Sequence, residues 1–220
     1  MILSKSDYAA VSRCPLFSGL SDTETDAALR FFSAELRHYR KGETLCPAGN
    51  RLPGFGLVLS GIVQVFCDDL AGERVIMASV PPGNTFGESL CYLEVEDSPV
   101  WIISSVECDV LWLRCDTLRS VGDDPLERQI YRRFVTMLAE RALSMNDRIQ
   151  ILSKLTIREK LLTYFSQCAR AAGGRTFTVP LDRESLAAYL GVNRSALSRE
   201  LSAMQRDGLI EFYKNSFKIL

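Results

Sequence analysis

Arg194, Ser195, Ser198, Arg199 and Ser202 carry the most specific chemistry in this sequence. At about 100° per residue they share one side of a helix, while Leu197, Leu201 and Met204 share the other at spacings of four and three. A guanidinium can donate two parallel hydrogen bonds to O6 and N7 of guanine or grip a phosphate, and short hydroxyls add small donors and acceptors. Offered from the first turns of a helix, such a set fits the major groove of duplex DNA. Asn193, directly before it, can cap the free N–H groups of the first turn and completes the candidate DNA-contact set.

Residues 181–210 must hold that helix in place. They read as two short helices with Gly191 between them, where a chain leaving a helix needs positive φ. In the first helix Leu186, Ala187 and Leu190 fall on one face. Asp182 and Asn193 are N-cap residues, each preceded by an apolar residue (Leu181, Val192) and followed four positions later by another (Leu186, Leu197). That is the spacing of a hydrophobic staple. Two staples fix two entry angles, as a helix-turn-helix requires. Residues 210–220 alternate on either side of Lys214-Asn215-Ser216 as a small hairpin does, in the position of a wing.

The charge is distributed accordingly. The whole chain is nearly neutral at −1, but residues 1–152 carry 15 Lys and Arg against 21 Asp and Glu, and residues 153–220 carry 11 against 6. A basic C-terminal module on an acidic N-terminal one suits a DNA-contacting end and a sensing end. A hydrophobic content of 47% over 220 residues fills one large core or two modest ones. No apolar run reaches the roughly 18–20 residues of a membrane helix, and the first residues lack the layout of a signal peptide. Seven scattered cysteines without a CxxC suggest reduced, mostly core thiols in a cytoplasmic protein.

Upstream, residues 6–36 read as helical, broken at Gly19 and restarted by a Ser21 cap. Short strands follow at 34–39, 55–60, 62–67, 74–80, 100–105 and 109–114, separated by turn signals that include 68–72. Many short strands at this spacing favour a jelly roll or related barrel. A long helix then runs from Pro125 to Leu152, proline suiting its first turn. Tyr131, Val135, Leu138, Ala142, Met145, Ile149 and Leu152 recur at alternating spacings of four and three, a coiled-coil seam that implies a homodimer. A second stripe, Ile130, Phe134 and Met137, is expected to pack on the barrel of the same subunit. Residues 156–168 read as another amphipathic helix.

GVNRSALSRELSAMQRDGLI (191–210) followed by a hairpin resembles the winged helix-turn-helix of the Crp/Fnr superfamily of bacterial transcription regulators. CPLFSGL (14–20), YRKGETLCPAG (39–49), GLVLSGIVQVF (56–66) and PPGNTFGESL (81–90) are similar, in order and spacing, to that family's sensor domain. The resemblance implies an α+β protein: a double-stranded β-roll sensor over residues 1–124, a dimerisation helix over 125–152 and a winged helix-turn-helix over 153–220. It also implies a cassette in which Gly-Glu opens a short helix toward a cyclic phosphate, the glutamate takes a ribose hydroxyl and an arginine pairs with the phosphate. Gly87 and Glu88 match, but the arginine position holds Ser98, followed by Pro99. A buried phosphate without its cation is several kcal/mol worse off, so cyclic AMP is not the expected effector. Ser89 and Leu138 complete the candidate effector pocket.

The expected function is an effector-responsive regulator that binds double-stranded DNA at a palindromic operator as a homodimer, with RNA polymerase a further partner if it activates. A haem- or redox-dependent sensor of the same family and a winged-helix adaptor that binds no DNA stay open, as does an apolar small-molecule effector. No cofactor is assigned. His38 is the only histidine, and a cupin-like enzyme would need a cluster of His and carboxylate metal ligands.

Overall fold

Capping boxes start the first two helices. In α1 (Lys5–Arg13) Ser4 and Asp7 bond reciprocally to each other's main-chain N–H groups, and in α2 (Asp22–Phe31) Ser21 and Glu24 do the same. The computed structural model describes residues 3–68 and 74–220. The β-strands that follow are β1 (Glu35–Tyr39), β2 (Thr44–Cys46), β3 (Phe55–Ser60), β4 (Val63–Asp68), β5 (Arg74–Val80) and β6 (Thr85–Phe86). After the short helix α3 (Glu88–Tyr92) come β7 (Trp101–Ser104) and β8 (Cys108–Leu113). They pair antiparallel as two four-stranded sheets, β1-β8-β3-β6 and β2-β7-β4-β5. This interleaved order is that of a β-roll.

Successive side chains of a strand point to opposite faces, and β3 and β8 are covered on both. Phe55, Leu57, Leu111 and Leu113 enter one core with α1, α2 and the long helix, while Val58, Val110 and Trp112 enter a second core between the sheets. Phe86 lies over Gly56, where an added Cβ would stand 2.1 Å from the ring, so only glycine fits there. The expected strands are present, four of the six with ends one residue away; β2 and β6 were not foreseen. The expected turn at 68–72 falls, apart from Asp68, outside the described residues.

The long helix α4 (Pro125–Leu152) has the expected bounds. Ile130, Phe134 and Met137 are buried among the β3 and β8 residues of the first core, as their stripe required. The chain divides into two compact units, Met1–Ala139 and Glu140–Leu220, a division that falls inside α4.

The second unit continues with α5 (Ile157–Ala172), β9 (Thr176–Thr178), α6 (Arg183–Leu190), α7 (Arg194–Arg206), β10 (Ile210–Tyr213) and β11 (Ser216–Ile219). The three strands form a sheet in the order β10-β11-β9. Phe165 and Phe217, with ring centroids 4.6 Å apart, anchor a core shared with Ile151, Leu186, Leu197 and Met204. Among the described residues, no helix is long and apolar enough to cross a membrane.

Phe134 is fully buried and its ring lies 5.7 Å from that of Phe55. Truncation of such a side chain costs about 3–5 kcal/mol. Phe134→Ala is expected to lower the stability of the β-roll by that amount in equilibrium urea unfolding, and a loss below about 1 kcal/mol would contradict this packing.

Candidate nucleic-acid interface

Each turn of the helix-turn-helix is fixed by a local hydrogen bond. Thr156 and Glu159 form the capping box of α5. The Asp182 carboxylate accepts from the Ser185 N–H at 2.7 Å and so caps α6. Gly191 ends α6 at φ 63°, the left-handed conformation its position demanded. Lys160 Nζ donates to the Leu190 carbonyl at 3.1 Å, satisfying one of the acceptors that a helix C-terminus leaves open. Asn193 caps α7, its Oδ1 accepting from the Ser195 N–H at 2.8 Å and from the Ser195 hydroxyl at 2.6 Å.

Leu197, Leu201 and Met204 are buried, whereas Asn193, Arg194, Ser195, Ser198, Arg199 and Ser202 are all exposed. The sequence-derived contact set therefore lies on one outward surface. Its chemistry is more restricted than residue types alone suggest. The Ser195 hydroxyl proton is committed to the Asn193 cap, so that oxygen offers only lone pairs outward. Ser202 donates back to the Ser198 carbonyl at 3.1 Å. Among the described residues, the side chains of Arg194 and Arg199 form no ion pair or hydrogen bond, although the Asp182 pKa, lowered first by its cap bonds, is lowered further by the Arg194 charge.

The acids of this region are occupied elsewhere. Arg158 of α5 donates through Nε to Glu200 at 2.6 Å and meets Asp207 at 2.8 Å. Glu200 and Asp207 would otherwise add negative charge to α7 and its end. Their pairing with α5 ties the two helices together and reduces repulsion toward an approaching polyanion.

The roles of Arg158, Arg183, Tyr213 and Lys218 were not foreseen. Arg183 stacks its guanidinium 5.1 and 5.0 Å from the Phe212 and Phe217 rings and donates to the Lys214 carbonyl at 2.9 Å. Burial lowers its pKa. It holds the β10–β11 hairpin from below, while Tyr213, Lys214 and Lys218 are exposed on the hairpin. In sequence Arg183 reads only as a first-turn residue beside the Asp182 cap, so no signal marked it.

The candidate effector residues lie in the first unit. Gly87, at φ 79°, opens α3, and an added Cβ there would meet Leu52 at 2.4 Å. Glu88 is 2% exposed, Ser89 is exposed and Ser98 is 2% exposed. The Ser98 hydroxyl donates to the Val100 carbonyl at 3.1 Å, which makes it part of the turn into β7. Leu138 is half-buried against the first core. None of these five lines the cavity of about 370 Å3 bounded by Arg51, Leu52, Pro53, Cys91, Arg114, Cys115 and Asp116. His38 is exposed on the edge strand β1; its Nδ1–H donates to Asp109 at 2.8 Å, and that bond raises its pKa. Of the cysteines, Cys14, Cys46, Cys108 and Cys115 are buried and Cys67, Cys91 and Cys168 half-buried, all as free thiols.

Of the dimer-seam candidates, Val135, Ala142, Met145, Ile149 and Leu152 are exposed, and Tyr131 and Leu138 half-buried.

Comparison with known proteins places these features. The sequence profile of the cyclic nucleotide-binding domain matches residues 36–123, and that of the Crp-like helix-turn-helix domain matches residues 159–220. The cyclic AMP receptor protein of Thermus thermophilus is 28% identical over 197 residues, spanning 89% of this chain and 88% of that protein. The transcriptional activator protein FnrA of Stutzerimonas stutzeri is 27% identical, over 84% of this chain and 76% of its own. Among solved structures, the Thermus thermophilus catabolite activator protein matches at 24% identity and a TM-score of 0.53, over 94% of this chain and 93% of that one. CprK in complex with OCPA matches at 18% identity and a TM-score of 0.59, over 87% and 88%. Those structural likenesses establish the fold. With a β-roll matching one profile, a capped helix-turn-helix matching the other, and relatives that are transcription regulators rather than enzymes, the chain belongs to the Crp/Fnr family of DNA-binding transcription regulators.

Proposed function

We propose that this regulator acts as a homodimer on a palindromic operator, in response to an effector other than cyclic AMP. The observation that carries the reading is the outward face of α7, where Arg194 and Arg199 are exposed and, among the described residues, form no ion pair, while Arg158 occupies Glu200 and Asp207. A guanidinium in that position can take guanine O6 and N7 together. Asn193, Ser198 and Ser202 are the accompanying contacts to backbone or base. Ser195, with its proton in the cap, makes a weaker and less selective one.

Dimerisation rests on the seam of α4. Met145 and Ile149 are 66% and 60% exposed, and Val135 and Leu152 lie on the same row. Packing that row, with Tyr131, Leu138 and Ala142, against its copy removes it from water, and the resulting two-fold axis is what a palindromic site requires. In this scheme residues 1–124 sense, 125–152 dimerise and 153–220 bind DNA, in the cytoplasm, with RNA polymerase as a partner if the protein activates.

The effector pocket, around Gly87, Glu88, Ser89, Ser98 and Leu138, offers no cation at the arginine position. Ser98 is instead bound to main chain. A cyclic phosphate buried there would stand unpaired.

Three outcomes follow from this reading. On the preferred duplex, Arg194→Ala and Arg199→Ala each cost about 1–3 kcal/mol in anisotropy titrations and flatten base preference, whereas Ser195→Ala costs little; specificity untouched by losing both arginines would mean another element reads the DNA. Placing Glu at both Leu138 and Met145 yields monomers with poor DNA binding, and an unchanged dimer mass in sedimentation would refute the seam. Titration with micromolar cyclic AMP in a calorimeter is silent; tight, saturable binding that raises operator affinity would overturn the effector assignment.

A further inference from the structure

Cys91 and Cys115 are distant in sequence, but the fold brings their thiols together. Cys91 sits in the last turn of α3 and Cys115 two residues beyond β8, and both line the cavity of about 370 Å3. The Cys115 thiol and main-chain N–H both donate to the Cys91 sulfur. Cys91 is half-buried, so it can be reached from solvent, whereas Cys115 is 1% exposed behind it. Three arginines lie nearby, each already ion-paired: Arg51 with Glu94 and Glu96, Arg114 with Asp116, and Arg119 with Glu94. Arg51 and Arg114 line the same cavity, and Arg119 donates to the carbonyls of Cys91 at 3.5 Å and Tyr92 at 3.3 Å.

We propose that Cys91 and Cys115 are an oxidisable thiol pair, in which Cys91 attacks a hydroperoxide before any other thiol of this unit does and an intramolecular Cys91–Cys115 disulfide results. Access and thiolate character together decide which sulfur reacts. The hydrogen bond from Cys115 pulls the Cys91 thiol below its ordinary pKa and the Arg119 charge adds to this, while burial and Asp116 oppose it. The same bond, with burial, pushes Cys115 up. Cys91, which solvent reaches, is the attacking thiol, and Cys115, enclosed behind it, is the resolving one. Burial moves Cys46, Cys108 and Cys168 the other way, Cys108 to about 11.

The chemistry balances without a further reagent. The Cys91 thiolate attacks the terminal oxygen of the hydroperoxide, forming an S–O bond as the O–O bond breaks. The leaving alkoxide takes up a proton and departs as an alcohol, or as water when the oxidant is hydrogen peroxide. Cys115 then displaces the hydroxyl from the Cys91 sulfenic acid, forming the S–S bond and releasing water. The two thiols are oxidised by two electrons and the hydroperoxide is reduced by two. In a reducing compartment such a bond is transient, as a sensing disulfide is. The site lies in the unit that does not carry α7, so it holds whichever duplex the protein binds.

The test uses the full-length folded protein, treated with an equimolar amount of hydrogen peroxide, quenched by alkylation and mapped by mass spectrometry. The expected product has lost two hydrogens and carries a Cys91–Cys115 cross-link. Cys115→Ser should stop at a Cys91 sulfenic acid that dimedone captures, and Cys91→Ser should leave Cys115 unmodified. Arg119, a positioning residue, is tested by Arg119→Gln, which should move the pH profile of Cys91 alkylation to higher pH. Should a variant fail to fold, the cross-link map of the unaltered protein decides alone. Cys67 oxidising before Cys91, a link to any other cysteine, or a link between two chains would overturn the proposal.

Discussion

A single helix can turn only one of its sides toward its own barrel, and α4 carries two apolar rows. Ile130, Phe134 and Met137 are spent within the chain, buried against Phe55 and its neighbours. The other row leaves Met145 and Ile149 largely in water and Leu152 and Val135 partly so. Full burial of such a side chain is worth about 1.5–3 kcal/mol, so the unsatisfied row is a strong reason for association. The reading of function depends on how this row is covered. A two-fold pairing of α4 makes a palindromic DNA site the natural counterpart, whereas a chain that stayed single would present one recognition helix alone.

The proposed DNA-contact surface depends in turn on side chains that never reach it. Leu197, Leu201 and Met204 fix the rotation of α7, and the Asn193 cap fixes its start. Arg158 binds Glu200 and Asp207 on the side of α5. Arginine is suited to this because its planar fork can serve two carboxylates at once. Arg183 supports the wing from beneath by stacking on Phe212 and Phe217. Arginine thus serves two ends in this unit, paired or stacked in the scaffold at Arg158 and Arg183 and exposed at Arg194 and Arg199.

Much of this was legible in the sequence because the signals are local. Asp182, Gly191 and Asn193 act through bonds that span four residues or fewer, and the α4 stripes repeat often enough to be counted. The strands β3 and β8 were readable as continuous apolar runs, since both of their faces are covered. β2 and β6 were not, because two or three residues carry no period. The roles of Arg158 and Arg183, and the meeting of Cys91 with Cys115, depend on contacts between residues far apart in the chain. Ser195 illustrates the limit within a local motif: its type and exposure were foreseen, but not that the cap would take its proton.

The most direct measurement is a binding selection of the unaltered protein on random duplexes, read by sequencing. The account predicts two inverted half-sites about one helical turn apart, each with a strongly specified guanine and one weakly specified position opposite Ser195. A non-palindromic motif, a single half-site, or no enrichment over the starting pool would contradict it.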